Sequence, residues 1–118
     1  IYVRSKSKGH GLQNQIEGHF KKGQKVLVVE DLVSTGKSSL DAAQVLQSQG
    51  MEVLGMLAIF TYAFQAAQEN FEKANLPLVT LSDYPALLKE AIKKNYIPQS
   101  SLGLLEAWRK DPANWKID

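Results

Sequence analysis

Apolar residues along the chain fall into two alternating kinds of run. Lys25-Val26-Leu27-Val28-Val29 is a continuous β-branched stretch, the pattern of a parallel strand buried on both faces. Val53 to Phe60 is a second such run, and Leu78 to Leu81 a third, shorter one. Between them the period lengthens. Leu40, Ala43 and Leu46, with Ala42 and Val45 beside them, line one side of a helix expected from Ser38 to Gln49, which Gly50 stops. Phe64, Ala67, Phe71 and Ala74 recur at helical spacing before Pro77 blocks continuation. Ser82 is the expected cap of a helix that opens at Tyr84-Pro85 and carries Leu87, Leu88, Ala91 and Ile92. Leu102, Leu105 and Trp108 mark a last short helix before Asp111-Pro112. Strands alternating with helices predict an α/β domain, a parallel sheet flanked by helices with right-handed crossovers.

The front of the chain differs. Ile1-Tyr2-Val3 reads as the tail of a strand already under way, and the first residue is not methionine. An N-terminal portion, with or without a targeting segment, is therefore expected upstream. Ser5 to Gly18 is polar and holds three glycines without any apolar period. A loop this long in a compact domain is functional or disordered, and without apolar anchors it is expected to be poorly ordered in the absence of ligand.

Composition narrows the classes. With 44% hydrophobic and 22% charged residues the 118-residue chain can bury a core as one domain. No run approaches the roughly 18 apolar residues of a membrane span. A net charge of +2 gives no argument for nucleic acid, but Arg4, Lys6, Lys8, His10, His19, Lys21, Lys22 and Lys25 crowd the first 25 residues. The absence of cysteine excludes a disulfide framework, a thiolate metal site and a cysteine nucleophile, and fits a reducing cytosol.

The informative string is Val26-Leu27-Val28-Val29-Glu30-Asp31-Leu32-Val33-Ser34-Thr35-Gly36-Lys37-Ser38-Ser39. A strand ends in two carboxylates, and a hydroxyl- and glycine-containing turn then opens a helix. Open α/β sheets bind ligands at the carboxyl ends of their strands. A helix start offers unpaired N–H groups and the positive end of a dipole, so a phosphate is favoured there. Ser34, Thr35 and Ser38 add hydroxyl donors, and Gly36 permits close approach of the backbone. Glu30 and Asp31 would repel phosphate but suit the vicinal hydroxyls of an attached sugar, so a ribose 5-phosphate fits both halves. Taken singly, the acids read equally as solvated turn residues and the hydroxyls as an N-cap. An ATP-binding P-loop is excluded, because its first glycine would fall on Asp31.

This string resembles the phosphoribosyl pyrophosphate (PRPP) motif of type I phosphoribosyltransferases: hydrophobic strand, two acids, two hydrophobic residues, two hydroxyl residues, Gly, one further residue, Ser. Arg4-Ser5-Lys6-Ser7-Lys8-Gly9-His10-Gly11, followed by Asn14-Gln15-Ile16-Glu17-Gly18, is similar to the mobile catalytic loop of the orotate phosphoribosyltransferase family within that class. Displacing pyrophosphate builds negative charge that a closing basic loop neutralises. The resemblance implies a Rossmann-like type I phosphoribosyltransferase domain over residues 1–118, incomplete at its N-terminus, with the mobile loop at 5–18 and the PRPP motif at 26–39. It implies that Lys8, Arg4 and His10 discharge pyrophosphate. Glu30 and Asp31 would hold the ribose, Val33, Ser34, Thr35, Gly36, Lys37 and Ser38 the 5-phosphate, and Leu32 would belong to the same PRPP site, with Ser34 also touching orotate. Magnesium carried mainly by PRPP, a cytoplasmic homodimer with shared sites, and no nucleic-acid or membrane partner complete the expectation. Two departures stand out. Ser5 replaces the second of two adjacent basic residues found in many members, with Lys6 the nearest substitute. Phe60-Thr61-Tyr62-Ala63 occupies the region where some members place an orotate-contacting arginine.

A PRPP-sensing regulatory module of the same fold and a purine-type transferase are the competing functions. A pure sensor needs no lysine to discharge pyrophosphate, and purine enzymes lack this loop pattern. His19 reads as a surface residue, and Trp108 and Trp115 as packing residues.

Overall fold

The computed structural model describes residues 1–4 and 15–115. Two short strands, β1 (Tyr2–Val3) and β2 (Ile16–Glu17), form an antiparallel pair outside the main sheet. The expected strand at Ile1–Val3 is present, while the stretch taken as loop to Gly18 ends in β2. The backbone N–H of Arg4 donates to the Gln15 carbonyl at 2.7 Å, extending this pairing. Val3 and Ile16 are anchored against the core, which is why the ladder forms in so polar a stretch. The expected disorder concerns mainly residues 5–14, which lie outside the described ones.

The main sheet has three parallel strands in the order β3 (Lys25–Val33), β4 (Glu52–Thr61) and β5 (Leu78–Asp83). Helices α1 (Lys37–Ser48) and α2 (Gln65–Lys73) make the crossovers, and α3 (Tyr84–Lys93) and α4 (Leu102–Lys110) follow β5. The core joins Val28, Met56 and Ala58 of the sheet to Leu40, Ala43 and Leu46 of α1 and Ala67 and Phe71 of α2. Burying an aliphatic or aromatic side chain of this size contributes about 1.5–3 kcal/mol. Gly50 follows the end of α1 with φ 82°, the left-handed position where a glycine stops a helix.

Burial on both faces does not hold. Leu27 and Val29 are 62% and 72% exposed, and Ile59, Val79 and Leu81 are at least as bare as half-covered. Leu57 joins them, paired with Val29 on one side and Val79 on the other. Right-handed crossovers put α1 and α2 on a single face, so alternate positions of every strand meet no helix among the described residues. The apolar run correctly marked a strand of the parallel type, but only Val28 of its four apolar residues is buried.

The strands also run further than their apolar segments. Glu30 pairs with Ala58, Val33 with Thr61, Ser82 with Phe60 and Asp83 with Thr61. Ladder hydrogen bonds are made by the backbone, so polar side chains at a strand end do not terminate it. Consequently Glu30, Asp31, Leu32 and Val33 belong to β3 and not to the turn. The cap of α3 shifts likewise: Asp83 Oδ1 accepts from the Ala86 N–H at 2.8 Å, and Ser82 is still in the ladder. Asp83→Ala should therefore lower stability by about 1 kcal/mol in urea denaturation, whereas Ser82→Ala should change it by less than about 0.5 kcal/mol. An equal loss in both variants would count against the Asp83 cap.

Candidate active site

The carboxyl ends of the three strands form one edge, on which Val33, Thr61 and Asp83 stand side by side in register. Ser34-Thr35-Gly36 leads from β3 into α1. Gly36 caps α1 with φ 78°, and a Cβ at this position would lie 2.6 Å from Cε2 of Phe71. Both the left-handed backbone and the ring beneath it require glycine. Asn70 Nδ2 donates to the Thr35 carbonyl at 2.9 Å, so α2 holds the turn at two successive residues. Neither Asn70 nor Phe71 was marked by the sequence: Asn70 sits in an ordinary polar helix position, and Phe71 counted only as core.

No side-chain hydrogen bond caps α1. Its first-turn N–H groups are thus available to an external acceptor at the positive end of the dipole. Ser34, Thr35, Lys37 and Ser38 are exposed around this opening, whereas Ser39 is buried. Val33 differs from its expected role. Its side chain is fully in the core, and its carbonyl already accepts from the Tyr62 N–H and from Thr61 Oγ1, each at 3.2 Å. Val33 positions the turn and offers a ligand no side-chain contact.

The two acids do not point the same way. Successive strand residues face opposite sides of the sheet. Glu30 is half-buried in register with the buried Ala58, and Asp31 is exposed on the other side. Asp31 Oδ1 accepts from the adjacent Leu32 N–H at 2.6 Å, leaving its second oxygen unengaged by described donors. The guanidinium of Arg4 is paired with Glu17 across the β1–β2 ladder. Lys8 and His10 lie outside the described residues, as does Lys6.

Next to the turn, the end of β4 continues into Tyr62-Ala63-Phe64. The Tyr62 and Phe64 rings stack with centroids 5.1 Å apart, and Trp108 of α4 meets each edge-on at 5.7 Å. Tyr84, at the start of α3, closes the group 5.4 Å from Trp108. Burial, and then the neighbouring Tyr62, raise the pKa of the Tyr84 hydroxyl above the usual tyrosine range. Arg109 Nη1 donates to the Ala63 carbonyl at 2.9 Å. Helical spacing marked Trp108 as a packing residue, which it is; Ala63 stood out only as part of the stretch without an arginine, and nothing in the sequence marked its contact with Arg109. His19 is exposed as expected.

An open helix start beside two carboxylates stands at the carboxyl edge of the parallel sheet, and the fold is that of the type I phosphoribosyltransferases. Within that class the chain is related to orotate phosphoribosyltransferases. It is 57% identical over 116 residues to the Cytophaga hutchinsonii orotate phosphoribosyltransferase, covering 98% of this chain and 56% of that protein. It is 50% identical over 117 residues to the Porphyromonas gingivalis enzyme of the same name, covering 99% of this chain and 56% of that protein. Among solved structures, orotate phosphoribosyltransferase of Mycobacterium tuberculosis H37Rv in complex with PRPP superposes with a TM-score of 0.57 at 37% identity. That match covers 62% of this chain and 43% of the mycobacterial one. No family model matches the chain. The chain spans about half the length of the curated relatives it matches.

Among the described residues no three His, Cys, Asp or Glu side chains cluster to hold a metal.

Gly36→Ala should destabilise the protein by about 1–3 kcal/mol, through the left-handed backbone and the clash with Phe71. Thermal or urea denaturation measures this. Wild-type stability in the variant would show that the turn is not built on that contact.

Proposed function

We propose that this chain provides the PRPP-binding and pyrophosphate-discharging part of an orotate phosphoribosyltransferase of pyrimidine biosynthesis. The observation that carries the reading is the uncapped start of α1, reached through Ser34-Thr35-Gly36 from a strand that carries Glu30 and Asp31 near its end at Val33. The relatedness of the chain to orotate phosphoribosyltransferases supports it. The Mycobacterium tuberculosis protein described with PRPP supports the choice of sugar phosphate.

In this reading the 5-phosphate lies on the N–H groups of α1 and the hydroxyls of Ser34, Thr35 and Ser38, with Lys37 adding positive charge. Glu30 and Asp31 accept from the ribose hydroxyls. A ring nitrogen of orotate attacks C1 of ribose as the C1–O bond to pyrophosphate breaks, through a cation-like transition state, and the proton of that nitrogen passes to the pyrophosphate or to solvent. Lys8, with Arg4 and His10, neutralises the charge that develops on the departing pyrophosphate. Arg4 must leave Glu17 to do so. Magnesium, bound with the diphosphate, supplies further charge neutralisation there. The active unit is a cytoplasmic homodimer in which the basic loop of one subunit serves the turn of the other.

Orotate consumption with PRPP and Mg²⁺, followed by absorbance in the complete polypeptide, tests the activity. Lys8→Ala should lower kcat about 10²–10³-fold and leave the KM for PRPP nearly unchanged, since its contact strengthens in the transition state. A higher KM with unaltered kcat would instead mean uniform ground-state binding. Mixing Lys8→Ala with Asp31→Ala subunits should restore part of the activity, because one mixed site then combines an intact loop with an intact turn. No recovery in demonstrated heterodimers would confine the loop to its own subunit.

A further inference from the structure

The corner after β4 carries an unusual backbone. Ala63 has φ 55°, in the left-handed region. The other non-glycine residues with positive φ among those described are Asn75 and Asn95, which follow α2 and α3, where asparagine commonly takes this conformation. Alanine has no such excuse: it gains no local side-chain hydrogen bond and bears the full steric cost of the left-handed well. Its surroundings must therefore hold it there.

Three contacts do so. The Ala63 N–H donates to Thr61 Oγ1 at 3.0 Å, and Thr61 is itself fixed by its bond to the Val33 carbonyl. The rings on either side of Ala63 are stacked on each other and covered by Trp108. The Ala63 carbonyl accepts from Arg109, a half-buried guanidinium with no carboxylate partner among the described residues. Val33 is the residue immediately before Ser34, so the strained corner and the phosphate-binding turn are joined through a single pair of hydrogen bonds at the sheet edge.

We propose that Arg109 is a positioning residue for the acceptor base: from α4 it clamps Ala63, and the clamped corner, with the Tyr62 ring, forms the wall against which the planar acceptor is set beside C1. This rests on the functional reading above and deepens it by naming what orients the acceptor in a chain whose β4 end offers no cation of its own. Strain held at a ligand-facing corner preorganises it, so an acceptor that docks there does not have to order the loop first. The phosphate turn has further support of its own, from Asn70 and Phe71, so loss of Arg109 should bear more on the acceptor side of the site than on the phosphate side.

Kinetics on the complete polypeptide separate this from a merely structural role. Arg109→Met should raise the KM for orotate about tenfold and leave the KM for PRPP within about twofold. Arg109→Lys should recover part of the loss, because an ammonium can still donate to the Ala63 carbonyl. Leu102→Ala serves as the control. It loosens α4 at the cavity of about 270 Å³ that Leu102 and Arg109 share with α3, without touching Ala63. It should lower the melting temperature and leave the orotate KM unchanged. A parallel rise of both KM values in Arg109→Met, or an equal orotate effect in Leu102→Ala, would overturn the proposal. Amide hydrogen exchange provides an arm independent of turnover: the Ala63 N–H should exchange faster in Arg109→Met than in Leu102→Ala. Equal exchange would refute the clamp. An unsubstituted protein that makes no nucleotide would overturn the functional reading and the acceptor role with it, while faster Ala63 exchange would still support the clamp.

Discussion

The approach of the Gly36 backbone to the ring of Phe71 governs the rest of the site. The space for a side chain at Gly36 is filled by an aromatic ring of α2, so only glycine fits there, and glycine also permits the left-handed turn after which α1 begins. The start of α1 then faces the carboxyl edge of the sheet without a side chain folded over it. Asn70, one residue before Phe71, fixes the preceding carbonyl, so a single turn of α2 sets both the path and the orientation of the turn. A phosphate-binding loop needs this kind of support, since N–H groups that are already aimed at the anion lose no entropy when it arrives.

The same edge combines charges that would conflict if they were brought together carelessly. Glu30 and Asp31 stand next to a site for an anion, and their separation onto opposite faces of β3 keeps them from adding their repulsion at one point. One oxygen of Asp31 is bound by the neighbouring N–H, which holds the carboxylate close to its own strand. At the opening of α1 stand its unpaired N–H groups and the exposed hydroxyls of Ser34, Thr35 and Ser38. Under the proposed function, attraction for the sugar and for the phosphate is divided between the strand and the turn.

Much of this was legible in the residues. Runs such as Val26 to Val29 and the spacing of Leu40, Ala43 and Leu46 record burial directly, so the order of strands and helices could be read from them. The string from Glu30 to Ser38 was legible because its chemistry is local: the acids, the hydroxyls and the glycine are all neighbours in sequence. Strand ends were harder to read, because the ladder through Glu30 and Ser82 is a property of the backbone and leaves no hydrophobic mark. Contacts between distant elements left no mark either. The hold of Asn70 on Thr35, across 35 positions, and of Arg109 on Ala63, across 46, joins residues whose types are unremarkable where they stand. The bareness of the sheet's second face left no mark for a related reason. A β-branched run reports what a strand suits, and the number of layers packed on it is decided elsewhere.

That second face has a thermodynamic consequence. Leu27, Val29, Leu57, Ile59, Val79 and Leu81 are already in contact with water in the folded state of these residues. Unfolding therefore hydrates less new apolar surface than the count of large aliphatic residues suggests. The heat-capacity increment of unfolding scales with that newly hydrated area. For this chain by itself it should fall below the roughly 12–15 cal/mol/K per residue of fully covered domains, which flattens the curve of stability against temperature. Packing any layer onto the exposed face would restore the missing increment, so calorimetry would register the covering of the sheet as a change in curvature as well as in melting temperature.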